Sequence, residues 1–167
     1  YSSAASDVYK RQGEDKVKSH NRYAKKLNRK RVLICLVAFF ALLPVFSYLH
    51  EAGHALVCIA DGNEAEISVD FSGGKTLCHG DVSNLFAYKI SGGLLAGIIG
   101  TTIGIALFRW KIPFIALTTI GAGHLVNAII EAFADSYFTH GVERSFFMGL
   151  VEFVIFLTLL IIFYRKR

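Results

Sequence analysis

The sequence predicts an all-α polytopic membrane protein: four transmembrane helices, with a small extramembrane β-hairpin between helices 1 and 2. Three observations predict it. Of the 167 residues, 53% are hydrophobic and only 19% are charged, and the mean hydropathy is +0.46. Most of the charge lies outside four apolar blocks, each about 18 residues or longer, the length that crosses a hydrocarbon core. Between the first two blocks stands the one sizeable polar stretch, and it alternates with period two. A soluble domain of this size would show shorter, more amphipathic segments.

Residues 1–31 form a basic N-terminal tail, of which residues 13–31 read as a short helix or disordered segment on the membrane surface. Its first twelve residues, YSSAASDVYKRQ, resemble translated sequencing-adapter remnants and are expected to be disordered. The remaining residues, 32–167, make one intramembrane domain. Span one covers about residues 32–60, with Pro44 about one and a half turns before His50, where it frees a carbonyl and kinks the helix. Residues 61–85 are the hairpin loop. Asp61-Gly62-Asn63 is a turn signal, Ala65 to Phe71 alternate, and Gly73-Gly74 reverse the chain towards Thr76-Leu77-Cys78-His79. Span two covers about residues 86–108. Its Gly93, Gly97, Gly100 and Gly104 share a face, which predicts close packing on a neighbouring helix. Spans three and four cover about residues 112–138 and 146–164, and the fourth, with Glu152 as its only ionisable core residue, reads as a packing helix.

The net charge of +5 is unevenly placed. A dense run from Lys16 to Arg31 precedes span one, Arg109 and Lys111 flank the turn after span two, and Arg165 to Arg167 end the sequence. The 61–85 loop holds one lysine against five acids. Basic segments stay cytoplasmic, so the pattern predicts both termini inside and the hairpin outside. A basic run directly against a span sets topology and touches lipid headgroups, so no nucleic-acid partner is implied. The three cysteines, Cys35, Cys58 and Cys78, are odd in number and lack a CxxC, so no disulfide framework is implied, and Cys35 and Cys58 read as packing residues.

The chemistry is concentrated in His50-Glu51-Ala52-Gly53-His54. Histidines four apart on a helix point about 40° from each other, so one metal ion can take both imidazoles. Glu51 stands beside them, placed to take a proton from a water that the ion has acidified. A zincin motif within an apolar run points to metal-assisted hydrolysis inside a membrane. A catalytic zinc takes three protein ligands, so a third is needed from another span. Span three offers His124, Glu131 and Asp135 on one helix face. Intramembrane acids are expensive, about 2.5–3.5 kcal/mol each at mid-span, and mark functional positions. Asp135 is the expected third ligand and Glu131 its rival. By the predicted topology both halves of the site lie in the outer half of the bilayer.

An HExGH motif in one span, a Gly-rich second span and an Asn…Asp pair on a third together resemble the site-2 protease family of intramembrane zinc metalloproteases. The resemblance covers about residues 32–138. It implies one zinc per chain held by His50, His54 and Asp135, with Asn127 holding substrate backbone; Asn127 and Asp135 keep the family's spacing of eight. Ser91-Gly92-Gly93-Leu94 stands about where many members have Gly-Pro. The prolines that the family places between its asparagine and aspartate are missing here, and Ser136 follows Asp135 in place of glycine.

The expected function is therefore an intramembrane zinc metalloprotease that cleaves transmembrane protein substrates, with Glu51 as general base. The hairpin could lend an edge strand to the extended substrate. Two other readings use the same residues. One is a non-proteolytic membrane metal-binding protein, a divalent-metal transporter or an inactive protease relative, which would tolerate loss of Glu51. The other is a haem-binding bundle with axial ligands from His50, His54, His124 or His140. His79, beside Cys78, reads as a polar loop tip, and the oligomeric state is not legible.

Overall fold

In the computed structural model, residues 29–70, 73–133 and 141–164 are described. The order is α1 (Arg29–Ala60), β1 (Glu64–Asp70), β2 (Gly73–His79), α2 (Leu85–Ala106), α3 (Lys111–Phe133) and α4 (Gly141–Tyr164). The architecture is four helices with a two-stranded antiparallel sheet between the first and second. Three helices are long and apolar enough to cross a membrane: residues 30–60 of α1, α2 and α3. In α4 the apolar stretch Phe147–Phe163 is shorter than these. The tail before residue 29 and the end of the third predicted span, with Asp135 and His140, lie outside the described residues.

Side chains are distributed as lipid solvent requires. The buried face of α2 is Gly92, Gly93, Ala96, Gly97, Gly100 and Gly104, whereas its large residues, such as Ile98 and Ile105, point outward. Leu33, Val37 and Phe40 on α1 and Phe153, Val154 and Ile161 on α4 are likewise exposed. Lipid gives no hydrophobic drive between helices, so small residues that let backbones approach take the contacts. The glycine face of α2 packs as its spacing predicts: Gly93 lies against the His124 carbonyl and Ala128 of α3, and Gly100 against Gly121.

The apolar core sits away from the hairpin. Cys35, Phe114, Ile115, Phe156 and Leu160 join the beginning of α1 and of α3 to the end of α4, and Phe46, Ala96, Leu117 and Ile120 continue the core towards the middle. Buried polar residues then take over: His50, Glu51, His54, Asn127 and Glu131. α1 runs unbroken through Pro44 and ends at Ala60. There Gly62, at φ +83°, takes the left-handed conformation that lets the amide of Asn63 return to the Cys58 carbonyl.

The strands pair from Glu64↔His79 to Asp70↔Gly73. Alternation turns Ala65, Ile67 and Val69, with Gly74, Thr76 and Cys78 opposite them, to the more buried face. That face packs on α1. The sheet carries a correction to the cysteine reading. Cys58 and Cys78 form a disulfide, with Cα atoms 5.9 Å apart, that ties β2 to the last turn of α1. The odd count concealed the pair because Cys35 is the free thiol, fully buried in the apolar core.

Candidate metal centre

His50 and His54 lie on the face of α1 that meets α2 and α3. Gly92 makes that approach possible, since a Cβ there would overlap the His54 imidazole and lie 2.7 Å from the His50 carbonyl. His54 Nδ1 is 2.7 Å from the Tyr88 carbonyl oxygen. A carbonyl only accepts, so Nδ1 carries the proton and Nε2 presents its lone pair. His50 Nε2 lies 3.1 Å from His54 Nε2. Its other nitrogen, Nδ1, is 3.2 Å from Nδ1 of His124, on α3.

Glu131 closes the group from α3. Its Oε2 is 3.3 Å from His50 Nε2 and 3.6 Å from His54 Nε2, and its side chain is fully buried. Two imidazole nitrogens and a carboxylate converge within 4.8 Å of one another, an arrangement that a cation or a shared proton between them stabilises. Ligands about 2.0–2.1 Å from a tetrahedral ion sit about 3.3 Å from each other. The edges 3.1, 3.3 and 3.6 Å match that triangle. The group could hold a metal ion. No family model, curated protein or solved structure matches this chain. The reading of the site therefore rests on its own geometry.

Glu51 is not among the converging donors. Its carboxylate turns towards β2, where the Thr76 hydroxyl lies 2.7 Å from Oε2 and 2.9 Å from the Glu51 carbonyl oxygen. Gly74 makes room for it: a Cβ there would lie 2.8 Å from Oε1. The hairpin thus roofs the carboxylate, and the Cys58–Cys78 disulfide fixes the roof to α1.

A cavity of about 120 Å³ opens beside the group, with His50, Glu51, Gly74, His124 and Asn127 in its wall. Asn127 is buried there. His79 is the last residue of β2, exposed and 3.6 Å from Glu66, and is not one of the three converging donors. Sequence reasoning missed Thr76 and Glu152. Nothing in period-two alternation marks which strand residue meets the helix below. Glu152, read as an isolated charge on a packing helix, reaches the same cavity.

Outside the bundle, Asp61 joins the end of α1 to the segment before α2. Its carboxylate accepts from the Ser83 hydroxyl at 2.7 Å and the Ser83 amide at 2.8 Å. These two bonds hold its pKa below the ordinary value.

Proposed function

We propose that this chain is an intramembrane zinc metalloprotease, cutting transmembrane protein substrates within the bilayer. One observation carries the reading: three converging donors with tetrahedral spacing, and a separate carboxylate, Glu51, next to them on the same helix. The donor set of two imidazoles and one carboxylate suits zinc and leaves one position open, as catalytic zinc sites do. His50, His54 and Glu131 would hold the ion, and the distances from Glu131 to both histidines support it as third ligand. Zinc bound there would acidify water and polarise a peptide carbonyl.

The residues of the chain carry the remaining steps. Thr76 holds one oxygen of Glu51, which leaves the other to take the proton of the attacking water. Glu51 then returns that proton to the departing amine. A helical substrate has its carbonyls already bonded, so it must unwind before attack. Asn127 is placed in the cavity wall to bond the freed backbone, and β2, whose Gly73 and Gly74 line the cavity, offers its unpaired edge. The rings of His50, His54 and His124 pack 4.9 and 5.2 Å apart, a spacing that favours one small ion over a haem.

The proposed orientation has both termini in the cytoplasm and the hairpin outside. The basic segments support it, and so does the disulfide, which persists in oxidising compartments. The site then lies about 9 Å of helix inside the outer end of α1. The test is cleavage of a single-span substrate in detergent by the parent and by Glu51→Gln. Zinc retained with cleavage lost supports the proposal. Undiminished cleavage by Glu51→Gln would refute it, and zinc binding without cleavage by the parent would return the transport reading.

A further inference from the structure

The cavity beside the metal centre contains a second carboxyl that the proposed chemistry leaves unused. Glu152 lies on α4, in the cavity wall with Ser47, Asn127 and Met148. It takes no hydrogen bond or ion pair from any of the described residues. Its position is accommodated by the helix opposite, because a Cβ at Gly123 would lie 2.7 Å from Glu152 Oε1. A carboxyl inside an apolar bundle is expensive to keep without a partner and is found where a ligand or an ion pathway meets it. Here the other acids are occupied: Glu131 faces the two histidines, and Glu51 is bonded to Thr76.

We infer that Glu152 forms a side-chain subsite that receives a lysine or arginine of the substrate close to the bond that is cut. An ionised carboxyl is acceptor-only, and a cation compensates its charge as well as its lone pairs. The cavity, about 120 Å³, has room for one long side chain. Met148 supplies an apolar surface for the methylene stem, and Ser47 offers a further acceptor to the charged head. This subsite also gives selectivity to an enzyme whose spans must choose among similar apolar helices, since a basic residue is rare within them.

The inference rests on the protease reading for the nature of the ligand, so binding and cleavage are measured separately. Labelled single-span peptides, identical except for Lys, Gln or Leu at one central position in turn, are titrated against the full chain with Glu51→Gln in detergent. The Lys peptide is expected to bind at least roughly tenfold tighter than the Gln and Leu peptides. Glu152→Gln should bring the three to within about twofold, and Glu152→Arg should shift the preference to a Glu peptide. Retained zinc and unchanged helical circular dichroism show that both variants still fold. Equal binding of the Lys and Leu peptides, a preference that survives Glu152→Gln, or binding of none overturns the subsite. A Lys preference without any cleavage by the parent leaves the subsite standing and removes the protease. Cleavage of Lys and Leu substrates at equal rates does the reverse.

Discussion

The bond between His50 and His124 yields the sharpest quantitative expectation. If Nε2 of His50 gives its lone pair to an ion, Nδ1 carries the proton and donates to Nδ1 of His124 at 3.2 Å. His124→Phe keeps a ring stacked near Phe46, now 6.2 Å away between centroids, but deletes the nitrogen. Losing such an outer partner typically weakens metal binding about 10–100-fold, which is about 1.4–2.8 kcal/mol. His124→Asn, whose amide oxygen falls near the lost acceptor, should recover most of this. Competition for zinc against a chelator of known affinity reads the shift directly. A His124→Phe chain that binds zinc as tightly as the parent would refute the claim that His124 orients a ligand.

Other expectations concern the hairpin and its attachment. Thr76→Val keeps the shape but removes the hydroxyl that holds Glu51; cleavage should fall roughly 10–100-fold, the ~1.5–3 kcal/mol of a hydrogen bond to a charged group, with zinc affinity unchanged. Replacing both Cys58 and Cys78 by alanine frees a loop whose ends are 20 residues apart, and chain entropy sets the loss near 3 kcal/mol, measurable by denaturation in detergent. Asp61 is stabilised in its ionised form by Ser83, so its bonds strengthen the junction above the ordinary carboxylate range and are lost as pH falls through its depressed pKa. An NMR titration should find Asp61 below 3.8, and Ser83→Ala should raise it.

Much of this was legible in the sequence, for reasons that differ by element. Apolar length defined the helices closely, because a span must satisfy its whole backbone internally and leaves few alternatives. Period-two alternation between two glycine turns gave the hairpin, and the four-residue histidine spacing gave two ligands. The third ligand was a different problem. Glu131 and Asp135 share a face of the same predicted span, and spacing alone does not choose between them; Glu131 is brought to the histidines through α2, whose Gly92 packs on α1 and whose Gly93 packs on α3. The Cys58–Cys78 bond was hidden by a third cysteine with a different role. Glu152 was discounted because a lone acid on an apolar helix shows its purpose only when its neighbour is known, and that neighbour is Gly123.

The central claim is that His50, His54 and Glu131 together hold one catalytic ion. Zinc content per chain, measured on purified parent, His54→Ala, Glu131→Ala and Asp135→Ala, tests it most directly. The account predicts about one zinc in the parent and in Asp135→Ala, and its loss in the other two. Full zinc in Glu131→Ala, with loss in Asp135→Ala, would contradict it and move the third ligand four residues along the chain.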